Sequence, residues 1–281
     1  MMNITSESIR RDLTKLGIAP GDVVLVRAAL TAIGRVGDGD FLSTLLGLVG
    51  EKGTVASLAF TGGGFAWQAS KIPPYTLASK SYAGALPNAM IAHPAAYRSR
   101  HPQCSFVAIG HHARQLTDGH GPHAGAYEPV RKLIALKGKM LVAGCVTSSP
   151  GFTTTHLAEV DLGLHRRRVA SWLFISRYID EQGRVRTFRR KDPGLCSNSF
   201  WKFYAAYVNS GILTAGRVGN AYSICAPAAE CYAIEREILA GDGRFTVCDS
   251  KDCLTCNLLR WDCIHRWPGY LVRRALRKKN L

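Results

Sequence analysis

Acid is what this sequence of 281 residues is short of: 20 Asp and Glu stand against 36 Lys and Arg, a formal net charge of +16. Between Glu51 and Asp118 no acidic side chain occurs at all. A pocket bordered by that stretch therefore offers no carboxylate to a cationic ligand. Apolar runs long enough to span a bilayer are also missing, and Met1 to Gly17 is a charged amphipathic stretch with no secretory-signal pattern. The nine cysteines are odd in number and do not read as a disulfide framework. Gly62-Gly63-Gly64 lacks the Gly-Lys-Ser/Thr that a phosphate-binding P-loop requires. These absences set the expectation of a soluble, cytoplasmic globular protein with reduced thiols and no membrane partner.

What is present supports α/β layers. A chain of this length can bury one large core or two modest ones, and 47% hydrophobic with 20% charged residues reads as globular. Thr5 can cap a first helix with apolar positions Ile9, Leu13 and Leu16, ended by Gly17. Val23 to Val26 reads as a strand, Phe41 to Val49 as an apolar helix, and Thr54 to Phe60 as a second strand. From Thr61 to Tyr97 the chain reads as loop-rich, with Gly62-Gly63-Gly64, Pro73-Pro74 and Pro87. Cys104 to Ile109 is a strand, Pro129 to Leu136 a helix opening on an allowed proline, and Val169–Asp180 with Arg184–Arg189 a hairpin around Glu181-Gln182-Gly183. A helix over Trp201–Asn209, one short strand within Gly216–Ala226, and an amphipathic helix from Pro227 to Leu239 complete the main body.

Chemistry concentrates at Thr153-Thr154-Thr155-His156-Leu157-Ala158-Glu159. The apolar run Lys139 to Cys145 is a buried strand, the chain turns over Val146 to Phe152, and a helix begins near Thr153, with threonines available to cap it. On that helix His156 and Glu159 share a face. A carboxylate beside an imidazole fixes which nitrogen carries the proton, so the pair is a candidate general base. Val160 stands where a zinc-protease helix needs its next histidine, which disfavours a metalloprotease. The group His111, His112, His120 and His123 lacks a ligand spacing.

Several stretches in order resemble the aminoglycoside 3-N-acetyltransferase family. They are Val26-Arg27-Ala28-Ala29-Leu30 with Gly34, Gly84-Ala85-Leu86-Pro87-Asn88, and Arg98-Ser99-Arg100-His101-Pro102 running into Ser105-Phe106. Gly110, Ala113, His120 and Pro129 follow, and then the Thr153–Glu159 segment. The resemblance spans roughly residues 5 to 240. It implies a three-layer α/β/α fold with a mixed central sheet, and an acetyl-CoA-dependent N-acetyltransferase acting on a small amine such as the 3-amino group of an aminoglycoside antibiotic. It implies that His156 takes the proton of the attacking amine, with Glu159 orienting it. It also puts Arg27, Ala28, Ala29, Leu30, Gly34, Ser105 and Thr153 on the cofactor, and His120 and Asp161 near the substrate. Where the family usually has His-Ser-Ser this chain has Arg27-Ala28-Ala29, so backbone amides would replace two hydroxyls at the thioester. An acyltransferase for a non-aminoglycoside amine of biosynthesis is the alternative. A catalytically inactive nucleic-acid-binding or scaffold protein is the remaining reading.

Residues 1–245 are expected to form the acetyltransferase-like domain and 246–281 a Cys-rich, basic appendage. There Cys248, Cys253, Cys256 and Cys263 read C-x4-C-x2-C-x6-C, with His265 behind. Structural zinc, free thiols and an iron–sulfur centre all accommodate that spacing. The basic patches at Arg166–Arg168, Arg184–Lys191 and Arg273–Lys279 lack a nucleic-acid-reading motif. A solvated surface and a disordered tail account for them.

Overall fold

A computed structural model describes residues 4–279. Its strands are β1 (Val23–Ala28), β2 (Thr54–Leu58), β3 (Gly64–Phe65), β4 (Pro74–Tyr75), β5 (Tyr97–Arg98), β6 (Phe106–Gly110), β7 (Lys139–Ala143), β8 (Phe174–Ile179), β9 (Val185–Phe188), β10 (Thr214–Val218) and β11 (Ala221–Pro227). Its α-helices are α1 (Ser6–Lys15), α2 (Leu30–Ile33), α3 (Phe41–Val49), α4 (Ala85–Ala92), α5 (Ala113–Thr117) and α6 (Glu128–Ala135). They continue with α7 (Thr154–Asp161), α8 (Tyr204–Asn209), α9 (Ala228–Gly241), α10 (Leu254–Asn257) and α11 (Trp267–Lys279).

A seven-stranded sheet in the order β10-β11-β7-β1-β2-β6-β5 forms the middle layer. β1 pairs in parallel with β2 on one side and β7 on the other, while β11 and β6 extend the sheet antiparallel. The uninterrupted apolar run of β1 follows from this central place, because both faces are covered. Val24 and Val26 join a core with Ile9, Leu13, Phe41, Leu45, Leu86 and Met90, from α1, α3 and α4. Val23 and Leu25 join the opposite core with Leu116, Val130, Leu133, Leu157, Tyr207 and Leu239, from α5 to α9. The result is the expected three-layer α/β architecture with a mixed sheet. The chain leaves β1 toward β2 on one side and β7 lies on the other, so a crevice opens beyond the carboxyl ends of these strands.

Three expectations change. The Thr61–Tyr97 stretch contains α4: Pro87 sits in its first turn, where a missing N–H costs nothing. Gly216–Ala226 holds a β10–β11 hairpin where one strand was expected. The basic tail is helical through Lys279, anchored by buried Tyr270 and an Arg277–Asp252 ion pair at 2.7 Å; Asn280 and Leu281, like Met1–Asn3, lie outside the described residues. The hairpin β8–β9 forms as its turn chemistry predicts and joins β3 and β4 in a small second sheet beside the crevice.

Candidate active site

The turn after β7 sets the position of His156. Gly144 and Gly151 both adopt positive φ, and at Gly151 a Cβ would lie 2.2 Å from Phe200 Cβ, so only glycine fits there. Tyr204 holds the same turn: its hydroxyl accepts from Gly151 N–H at 2.7 Å and donates to Val146 carbonyl at 3.1 Å. Arg27, from the end of β1, donates to Ser149 Oγ at 2.9 Å and to the Gly151 carbonyl. The chain then enters α7 with Thr153 as its N-cap residue. Thr153 gives no side-chain cap, contrary to expectation. The hydroxyls of Thr154 and Thr155 instead donate to the buried Glu235 of α9, at 2.9 and 2.8 Å. Tyr207 donates to the same carboxyl oxygen. Burial raises the Glu235 carboxyl to about 8 against those donors, so the group is protonated at neutral pH.

His156 Nδ1 lies 2.9 Å from Glu159 Oε2. A carboxylate only accepts, so in the neutral imidazole Nδ1 carries the proton and Nε2 the lone pair. Glu159 is buried, and its other oxygen accepts from Thr246 Oγ1 at 2.9 Å. Tyr127 stacks on one face of the imidazole with centroids 5.0 Å apart, and Phe200 meets it edge-on at 4.8 Å. Thr246, Tyr127 and Phe200 carry no motif in the sequence; they are visible only once the fold brings 127, 156, 200 and 246 together.

Two cavities meet at this imidazole. The larger, about 660 Å³, lies at the carboxyl ends of β1, β2 and β7 and is lined by Arg27 to Thr31, Ser57, Leu58, Cys145, Ser149, Thr153 and His156. Small and apolar side chains dominate it. The amide of Ala29 is committed to the Ala143 carbonyl at 2.9 Å, leaving those of Leu30 and Thr31 without intrahelical acceptors in the first turn of α2. The smaller cavity, about 330 Å³, is lined by Thr61 to Gly64, Tyr82, Gln103, Tyr127, His156, Arg168 and Arg190. Among the described residues no carboxylate lines it, in keeping with the acid-free stretch.

Not all expected residues converge. Arg27, Ala28, Ala29, Leu30 and Thr153 line the larger cavity. Gly34 does not: it sits at φ +99 against Ile4 and Asn220, where it ends α2. Ser105 is spent inside the sheet, donating to the Ala59 carbonyl at 2.6 Å and accepting from Arg98 Nε at 3.2 Å. His120 is buried against His101, with ring centroids 4.9 Å apart, and bonds Ser99 Oγ at 2.9 Å. Burial drives both imidazoles to the neutral form, His120 to about 4 and His101 to about 2. Asp161 lies on the outer side of α7, paired with Arg131 at 2.6 Å and accepting from Tyr232 at 2.6 Å. Neither His120 nor Asp161 lines the two cavities.

The cysteines also regroup. Cys248, Cys253 and Cys256 come together with Cys196, their sulfurs all within 4.8 Å of one another, and Cys263 stands outside this set. Cys263 still packs in the same buried cluster as Cys196, Cys248 and Cys256, while its neighbour Asp262 pairs with Arg260 at 2.7 Å and with Arg167 at 3.0 Å.

The sequence matches the family model described as aminoglycoside 3-N-acetyltransferase over residues 25–240. It is 32% identical over 176 residues to aminoglycoside N(3)-acetyltransferase VII of Streptomyces paromomycinus, covering 56% of this chain and 60% of that protein. A Salmonella aminoglycoside N(3)-acetyltransferase III is 28% identical over 278 residues, 89% of each chain. Among solved structures, AAC-IIIb in its binary complex with CoASH superposes with a TM-score of 0.70 at 26% identity, covering 84% of this chain and 96% of that one. The chain belongs to the aminoglycoside 3-N-acetyltransferase family.

Proposed function

We propose that the chain transfers the acetyl group of acetyl-CoA to a small amine, the reaction for which its family is named, with the 3-amino group of an aminoglycoside as the acceptor. One observation carries this reading: His156, steered by Glu159, borders both cavities. The larger cavity suits pantetheine, which needs an apolar channel at the strand ends, and a structural relative holds CoASH. The acceptor then occupies the smaller one. His156 Nε2 takes a proton from the amine as its nitrogen attacks the thioester carbon. The C–N bond forms, the tetrahedral intermediate collapses, the C–S bond breaks, and the proton passes to the departing CoA sulfur. The amides of Leu30 and Thr31 are the candidates for carrying the oxyanion.

A second reading of the acceptor is favoured by the arginines. Arg190 lies over the Tyr127 ring at 5.1 Å, and its buried Nη2 has no hydrogen-bond partner. Asp192, 3.5 Å from Arg190 Nε, is its nearby counter-charge, and Asp192 also accepts from the Ala126 amide at 2.7 Å. Burial, with the like charge of Arg190 behind it, holds the Arg168 guanidinium below its ordinary value. Two half-buried cations and an idle donor suit an amine that also bears a carboxylate or phosphate better than a polycation. Thiol release from acetyl-CoA, measured over a panel of aminoglycosides and of anionic amines, separates the two acceptors. Turnover of aminoglycosides alone rejects the second reading, and turnover of anionic amines alone rejects the first acceptor. In His156→Ala, thiol release falls at least a hundredfold with every acceptor; unchanged turnover contradicts the mechanism.

A further inference from the structure

The geometry points to a tetrahedral zinc site formed by Cys196, Cys248, Cys253 and Cys256, which fastens the C-terminal appendage, whose Thr246 holds Glu159, to the Cys196–Phe200 segment that packs on His156. This inference stands independently of the acyl acceptor.

The four sulfurs lie within 4.8 Å of one another, with Cys253 Sγ and Cys196 Sγ at 3.4 Å. Zinc–sulfur bonds of ~2.3 Å at tetrahedral angles set sulfurs ~3.8 Å apart, so one ion fits the group. A polynuclear iron–sulfur cluster spreads its ligands over several irons and needs wider spacing. Nor does the spacing describe a disulfide, whose sulfurs approach to ~2.05 Å.

Backbone donors already face the sulfurs. Asn198 N–H points to Cys196 Sγ at 3.4 Å, Cys256 N–H to Cys253 Sγ at 3.5 Å, and Cys248 N–H to Cys256 Sγ at 3.4 Å. Such bonds orient thiolates and spread their charge. Asn257 closes the knuckle from outside, its amide donating to the Ser250 and Cys253 carbonyls at 2.9 and 2.7 Å. Four thiolates on a dication leave a net double negative charge. Cations stand beside it: Lys202 donates to the Val247 carbonyl at 3.0 Å and Arg266 to the Cys248 carbonyl at 2.9 Å.

What the ion would tie together is specific. Cys196 lies four residues before Phe200, which edges His156, and next to Leu195, which lines the smaller cavity. Cys248 lies two residues after Thr246, whose hydroxyl holds Glu159. Ser199 Oγ donates to the Thr246 carbonyl at 2.6 Å, so the two segments are also joined directly. The metal is a structural clip behind the catalytic pair.

Full-length protein expressed with zinc in the medium and purified without chelator is measured for metals by elemental analysis. One zinc per chain is expected, retained in Cys263→Ser and lost by more than half in Cys196→Ser. A folded-state thiol titration guards against variants that fail to fold: on wild-type protein, a chelator releases zinc and exposes four additional thiols. It also opens the segment after Thr246 to protease ahead of the main body. Absence of zinc together with thiols indifferent to chelator overturns the site. So does stoichiometric iron with sulfide, and so does loss of zinc in Cys263→Ser with retention in Cys196→Ser.

Discussion

The two cavities that share His156 are built in different ways. The larger is made by strand ends: β1, β2 and β7 stop together, and Ala28, Ala29 and Leu30 keep the floor small and apolar. The smaller is assembled mostly by loops from several distant parts of the chain, with Arg168 and Arg190 supplied from the segments around β8 and β9. Backbone pairing of the inner strands fixes the crevice at their carboxyl ends. A loop-built pocket takes its character from the few side chains that project into it. Under the proposed function, that contrast assigns the cofactor to the strand-end cavity and acceptor choice to the loops.

The largest effect expected from that division concerns the part common to both cavities. Glu159→Gln leaves an amide that can present its NH₂ to the imidazole and favour the wrong tautomer. Turnover with any acceptor falls on the order of a hundredfold or more, while CoA affinity by calorimetry stays within a few-fold. Next comes the loop side alone. Arg190→Ala lowers kcat/KM for an anionic amine about tenfold or more, the scale of a lost charged hydrogen bond, and leaves CoA binding unchanged. An unaltered kcat/KM there removes the arginine argument and leaves the aminoglycoside reading.

Smaller effects test the supports. Thr246→Val strands a buried oxygen of Glu159 and costs about 1–3 kcal/mol, read as a drop in Tm of a few degrees and a modest loss of turnover. Glu235 supplies a pH signature. Its carboxyl rises in the fold from 4.5 to about 8, so between those values the folded state holds a proton that the unfolded chain has released. That stability is fully present below the lower value and is lost as pH rises through the upper one. Glu235→Gln keeps the shape without the titration, so its denaturation midpoint gains on wild type as pH climbs from about 5 to about 8. A constant difference across that range contradicts the protonated state.

Much of the sheet-built half was legible in the sequence because local pattern and tertiary role coincide there. The continuous apolar run of β1, the capped helix after Thr5 and the Gln182-Gly183 turn each say in a few residues what the fold does with them. The His156–Glu159 pairing was equally local, one helical turn. What escaped notice depended on long-range closure. Thr246 meets Glu159 across 87 residues, and Cys196 meets Cys253 across 57. A spacing rule reads neighbours, so it completed the cysteine set with Cys263 and missed Cys196. His120 and Asp161 were carried in by resemblance; burial against His101 and pairing with Arg131 show other uses for them here. α4 was hidden by Pro87, whose tolerance depends on knowing that the helix starts at Ala85.

Chemical rescue tests the shared imidazole most directly. His156→Ala protein is assayed for thiol release from acetyl-CoA with and without added imidazole, and its CoA affinity is measured by calorimetry. The account predicts intact CoA binding, a loss of at least a hundredfold in turnover, and partial recovery as imidazole concentration rises. Wild-type turnover in the variant, or a loss that imidazole leaves untouched while CoA still binds, contradicts a proton-accepting histidine between the two cavities.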